Sequence, residues 1–171
     1  KNNFRILLVQ GEEKDQQEIS FTRYKPGFSG YVYDVEIAMK QMKYILSNDE
    51  KKELKNNNNQ DKEKLFYQIW KKRDPTPETE QNELMEEYFQ RVEYVNEHFS
   101  DWQQGWETDR GMIYILFGPP DEIQRTNPSA RNSTIYQIWN YVKVNKQFVF
   151  RDQNGFGDYR LDNPFIGSSG L

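Results

Sequence analysis

Gly105-Trp106-Glu107-Thr108-Asp109-Arg110-Gly111 runs directly into Met112-Ile113-Tyr114-Ile115-Leu116-Phe117, and Gly118-Pro119-Pro120-Asp121 ends the run. A polar turn bounded by glycines feeds an apolar segment, and a Gly-Pro-Pro turn stops it, since neither proline can donate a backbone hydrogen bond. Upstream, apolar residues recur at helical spacing; downstream they alternate as in strands. A short apolar run between turn signals reads as a buried strand. Residues 112–117 are therefore expected to open the main sheet, joined to the preceding helix by a turn anchored on Trp106. The fold class that follows is α+β, with N-terminal helices packed on a C-terminal antiparallel β-sheet of three to five strands.

The chain of 171 residues is the size of one ordinary domain. Only 35% of it is hydrophobic and the mean hydropathy is −1.05, a poor composition for a core at first sight. Four Trp, eleven Tyr and eleven Phe reverse that judgement, because each aromatic ring buries roughly 150–250 Å². The net charge of −4 is spread over interspersed acids and bases, and no basic block marks a nucleic-acid surface. No apolar run approaches the ~18–20 residues of a membrane-spanning helix. Cysteine is absent, which rules out disulfides and thiolate-bound metals. The chain opens on Lys1 and reads as a mature form or an excised fragment.

In chain order, residues 4–9 and 19–24 read as two strands separated by a polar surface loop at 10–18. Two strands alone are marginal in water, so residues 1–30 read as a β-hairpin and linker, the end of a preceding β domain. Residues 31–163 form the main domain, and 164–171 a flexible Gly/Ser-rich tail. Asp34 is placed to cap a helix over 34–46, with Val35, Ala38, Met42 and Ile45 on one face. Ser47 and Glu50 have capping-box spacing and start a second helix, which ends in the Asn run 56–59. Asp61 caps a third, broken at Arg73-Asp74-Pro75-Thr76-Pro77. Thr79 is assigned as the cap of the longest helix, whose stripe runs Leu84, Met85, Tyr88, Phe89, Val92, Val95, Phe99. Strands are expected at 135–142, 147–152 and 158–161, with Asn154-Gly155 as a hairpin turn.

These residues resemble the GWxTD domain family. The likeness extends from Trp70 and Arg73-Asp74-Pro75-Thr76-Pro77 through Asn82-Glu83, Tyr88, Arg91-Val92, Asn96 and Phe99. It continues through Gly105–Gly111, Gly118-Pro119-Pro120-Asp121, Ile138-Trp139-Asn140-Tyr141, Phe148–Asp152 and Gly155–Tyr159. The resemblance implies an exported protein of Bacteroidetes-type bacteria, secreted or a lipoprotein, with β-rich segments ahead of this domain. It implies a location that is extracytoplasmic, periplasmic or outer-membrane-associated. It brings no established activity and no catalytic residue.

The candidate sites are weighed on their residues. In the signature turn, Gly105 and Gly111 supply unusual backbone angles, Trp106 anchors the core, and Thr108 or Asp109 binds backbone donors. Arg110 is expected to pair with an acid on the long helix. The competing reading makes Glu107 and Asp109 an acidic pair for catalysis or metal binding. Asp74 lies in a helix stop that doubles as a candidate recognition loop, and Arg91 on the polar face of the long helix. Asp152, Asn154 and Asp158 are weak calcium candidates, since EF-hand spacing is not met. His98 is explained by a favourable position at a helix C-terminus. Trp102, Trp106, Tyr136, Trp139 and Tyr141 are core residues or, where exposed, a platform for a protein or glycan partner. The expected function is a non-catalytic interaction or scaffold module that needs no cofactor. The alternatives are a hydrolase using Glu107, Asp109, Asp121, Asp152 or Asp158, and a calcium-dependent adhesion module.

Overall fold

The computed structural model describes residues 2–10, 13–21, 30–56, 59–126, 134–153 and 155–162. The expected tail, most of the linker, the middle of the Asn run (57–58) and Asn154 lie outside these residues. Strands β1 (Asn2–Gln10) and β2 (Glu13–Phe21) pair antiparallel, with Phe4 opposite Ile19 and Gln10 opposite Glu13. The polar stretch expected as a loop is thus mostly strand. Ladder hydrogen bonds need only backbone, and a polar strand carries no apolar alternation to betray it.

Among the described residues five α-helices follow. α1 (Val35–Gln41) is capped by Asp34, whose Oδ1 accepts from Glu36 N and Ile37 N at 2.8 and 3.1 Å; it tightens into a 3₁₀ turn, Met42–Tyr44. The Ser47/Glu50 capping box forms in both directions at the start of α2 (Asn48–Asn56). α3 (Asn59–Lys72) begins two residues before its expected cap. α4 (Glu83–His98) is capped by Asn82, not Thr79. The Asn82 side chain accepts from Met85 N at 2.9 Å and donates to Trp70 O at 2.8 Å, so the cap also ties α4 to the end of α3. Thr79 instead donates to carbonyls of its own loop.

The main correction concerns residues 112–117. They form the body of α5 (Asp109–Phe117), not a strand. Ile115 belongs to the core that α1, α3 and α4 build around Met42, Phe66, Trp70, Phe89 and Val95. Ile113 belongs to a second core with Trp139, Tyr141, Phe148 and Phe150 of the sheet, and Met112, Tyr114 and Phe117 pack against it. A helix covered on both sides is apolar all round. The run therefore lacks the 3.6-residue period that would have distinguished it from a strand.

The sheet is a four-stranded antiparallel meander in the order β3 (Glu122–Arg125), β4 (Ile135–Tyr141), β5 (Lys146–Asp152), β6 (Tyr159–Leu161). β3, whose four residues are all exposed, takes the place expected of 112–117. In β4 the buried positions alternate as Gln137, Trp139 and Tyr141, and in β5 as Phe148, Phe150 and Asp152. The register sets Trp139 opposite Phe148 and Gln137 opposite Phe150, so one face is continuous and lies against α5. The architecture is α+β, with the helical layer first and the antiparallel sheet last. Among the described residues no helix is long and apolar enough to cross a membrane.

Candidate functional site

The signature turn sits where α4, α5 and β6 meet. Past the end of α4, Ser100 Oγ donates to Asn96 O at 2.6 Å and accepts from Gly105 N at 2.8 Å. Asn96 Oδ1 accepts from Trp106 N at 3.1 Å. Residues 105–107 then make a single 3₁₀ turn. Thr108 closes that turn and caps α5: its Oγ1 donates to Gly105 O at 2.8 Å and accepts from Gly111 N at 2.9 Å. One hydroxyl thus gives Gly105 O, which also accepts from Thr108 N at 3.2 Å, a second donor and satisfies a helix-start amide.

The two glycines are needed for space rather than for unusual angles, which corrects the expectation. Neither has a positive φ. A Cβ on Gly105 would lie 1.8 Å from Val95 O, and one on Gly111 would lie 1.9 Å from Gly105 O. The backbones of α4, the turn and α5 are stacked in direct contact. In Gly118-Pro119-Pro120-Asp121 the glycine does adopt φ +77, and Arg91 closes over it. Arg91 Nη1 donates to Ile115 O at 3.0 Å, satisfying the C-terminal end of α5, while Arg91 also pairs with Glu87.

Trp106 is 7% exposed and fills the helical core. Its carbonyl accepts from Tyr44 Oη at 2.7 Å and its indole N–H donates to Gln104 at 2.6 Å. Lys43 Nζ sits 4.6 Å from the Trp106 ring. Burial lowers the pKa of the Lys43 ammonium, opposed by the charges of Glu107 and Asp109. Burial raises the Tyr44 phenol, and the same two carboxylates push it further up. Lys43 and Tyr44 were not singled out as site residues from the sequence, because only folding brings them against a turn more than sixty residues downstream.

Asp109 Oδ2 accepts from Leu161 N at 2.7 Å, pinning β6 to the first turn of α5. Arg110 finds no acid on α4. It lies 4.9 Å from the Phe99 ring and 4.3 Å from the Tyr159 ring. Burial pulls its pKa below the usual arginine value.

The remaining candidates also have places within the fold. Asp74 accepts from Thr76 N at 3.0 Å, a local turn. Its neighbour Arg73 grips both oxygens of Glu50 at 2.8 Å and reaches Ile69 O and Ile45 O, which joins α2 to the end of α3. Asp152 is 2% exposed, and its two oxygens accept from Gly155 N and Gly157 N at 2.8 Å each. Asp158 pairs with Arg160 at 2.8 Å. Asp121 Oδ2 accepts from Val142 N at 2.7 Å. Among the described residues no three of His, Asp and Glu are grouped as a metal site would require. Trp139 is 1% exposed, edge-on to Phe150 at 4.9 Å. Tyr141 is buried and donates to Gly118 O at 2.9 Å. Of the aromatics expected as core or platform, Trp102 alone is largely open, at 72% exposure, with Arg160 over its ring at 5.4 Å.

The fold and its turn define a class: a helical layer joined to an antiparallel meander through a Gly-Trp-Glu-Thr-Asp turn that starts α5, the helix shared by two cores. The sequence model of the GWxTD domain matches residues 6–162, nearly the whole chain, and the chain belongs to that family. Comparison with curated proteins and with solved structures finds no match.

Proposed function

We propose that this domain is a non-catalytic interaction or scaffold module of an exported, cell-envelope protein. One observation carries the reading. Thr108 and Asp109 of the signature hold the fold together, while large aromatic side chains elsewhere stand in solvent. Thr108, Asp109, Asp121 and Asp152 each accept backbone N–H groups. Carboxylates used in this way are poor candidates for acid–base pairs, which need a free oxygen facing substrate. Tyr33, Trp102 and Phe156 are 70%, 72% and 89% exposed, and exposed aromatics are a common currency of protein and glycan recognition. On this reading Trp106 organises the fold and Trp102 meets the partner. The cell-envelope location rests on the resemblance to exported proteins. The view that β1 and β2 end a preceding domain at about residue 30 rests on the marginal stability of two strands by themselves.

The test is affinity capture of the full-length protein extracted from membranes, comparing wild type with Trp102→Ala, Phe156→Ala and Asp109→Ala. Specific loss of a partner in the first two, with melting temperature unchanged, supports the reading. Hydrolytic turnover that disappears in Glu107→Gln, with the fold intact, overturns it.

A further inference from the structure

Arg110 of α5 and Arg125 of β3 converge on one amide, the side chain of Gln137 on β4, which is 2% exposed. The amide oxygen faces Arg125, accepting from Nε at 3.0 Å and Nη2 at 3.1 Å. Turned the other way, it would accept from Arg110 Nη1 at 3.5 Å and set its own N–H donors against Arg125. The oxygen occupies one end of the amide, so in either orientation it faces only one of the two guanidinium groups. With the amide turned to Arg125, Arg110 keeps only the faces of Phe99 and Tyr159, which attract its charge but cannot satisfy five N–H donors.

Neither arginine has a carboxylate within 4.0 Å among the described residues. Nearby acids are engaged elsewhere. Asp152 binds two glycine amides, and Asp101 Oδ1 accepts from Gln103 N at 2.9 Å. Their charges reach Arg110 only through space, against the opposing charge of Arg125. A half-buried guanidinium with no carboxylate against it among the described residues gains from an anion that pairs with it. The planar fork matches a carboxylate with two parallel N–H···O bonds.

We infer that Arg110, Arg125 and Gln137 form a binding site for a carboxylate, supplied either by an acidic side chain of another protein or by a free small acid. The site stands whether or not the domain has a protein partner, because a free anion suffices to fill it. Arg125 is exposed, so the site opens to solvent on the β3 side.

The experiment is a titration of the full ¹⁵N-labelled chain with sodium acetate and, separately, with a short acetylated peptide containing glutamate. Ionic strength is held constant with sodium chloride, and the arginine Nε–Hε signals are followed. Saturable shifts of the Arg110 and Arg125 signals are expected with acetate or peptide and not with chloride. Tighter binding of the peptide assigns the carboxylate to a polypeptide, and equal binding to a free acid. R125Q, on an exposed residue, is expected to weaken binding about tenfold. Q137E, which builds a carboxylate between the two guanidinium groups, is expected to abolish saturation and raise the melting temperature. Linear shifts identical to those with chloride, or binding unaltered in both variants, overturn the proposal.

Discussion

The carboxylate of Asp109 holds the backbone amide of Leu161 at 2.7 Å across 52 residues of chain. The contact places the acid of the signature at the seam between the central helix and the last strand of the sheet. β6 spans only Tyr159–Leu161, too short to be secured by its ladder with β5 alone. Asp109→Ala is expected to cost about 1.5–3 kcal/mol, the range for a hydrogen bond to a charged group. Asp109→Asn keeps an acceptor and loses the charge at the N-terminus of α5, so it should cost less, about 0.3–1 kcal/mol. Urea unfolding gives the two values. Amide exchange at Leu161 should accelerate in Asp109→Ala well beyond the change at buried β5 amides. Equal costs for both variants would show that charge, and not this bond, is what the fold needs from Asp109.

Gly105 and Gly155 offer a matched pair for separating space from backbone angle. Gly105 needs room: its added Cβ would meet Val95 O at 1.8 Å, and that carbonyl is fixed by accepting from Phe99 N at 2.8 Å. Gly155 has φ +74 but nothing within 4 Å of an added Cβ. Gly105→Ala should therefore cost more than ~3 kcal/mol or prevent folding, because rigid backbone must move. Gly155→Ala should cost about 1–2 kcal/mol, the penalty of a left-handed residue with a side chain. Thermal melts followed by circular dichroism rank the two, and a milder effect at Gly105 would contradict the close stacking of α4 and the turn.

Acid should loosen the joint between α2 and α3. The Arg73 hydrogen bonds hold the Glu50 carboxyl at about 2, well below its ordinary 4.5. A carboxylate whose folded pKa is depressed contributes stability above its unfolded pKa and loses it as pH falls toward the folded one. The contribution is therefore full above about 4.5 and fades between there and about 2. In urea melts across that window, wild type should lose its advantage over Glu50→Gln as the pH drops. Arg73→Ala should cost more than Glu50→Gln at neutral pH. It strips Glu50, whose side chain is 14% exposed, of its counter-charge and leaves Ile45 O and Ile69 O without this donor.

Local chemistry was legible in the sequence, and long-range partnership was not. Asp34 and the Ser47/Glu50 box were readable because a cap and its target amides lie within three residues. The strands β4 and β5 were readable because each buries one face and leaves its other face partly or fully exposed. Residues 112–117 misled because burial on both faces erases periodicity, and β3 went unseen because an exposed edge strand has no apolar face. Thr79 and Asn82 both satisfy the rule for a cap; what decides between them is the Asn82 amide reaching Trp70 O, a contact visible only after α3 and α4 pack. In the signature itself, Thr108 or Asp109 is expected to bind backbone donors and Arg110 to pair with an acid on the long helix. Arg110 instead lies against the rings of Phe99, at the end of α4, and Tyr159 of β6, contacts that only the packed fold supplies.

Thr108 gives the sharpest test of how far the signature governs the whole domain. Its hydroxyl is a donor to Gly105 O and an acceptor from Gly111 N, in a site only 5% exposed. Thr108→Val preserves shape and removes both bonds, leaving a buried carbonyl and a buried amide without this partner. Thr108→Ser keeps both bonds and removes only a methyl group. The expected cost is about 2–4 kcal/mol for valine, combining a lost cap with desolvated backbone groups, and about 1 kcal/mol for serine. Because α5 contributes Ile115 to the helical core and Ile113 to the sheet core, the loss should not stay local. Near-ultraviolet dichroism, reporting Trp70 and Trp139 environments together, and far-ultraviolet dichroism should shift to a lower midpoint in step. If the sheet signal melts before the helical one in Thr108→Val, the two cores are separable and α5 is not the element that joins them.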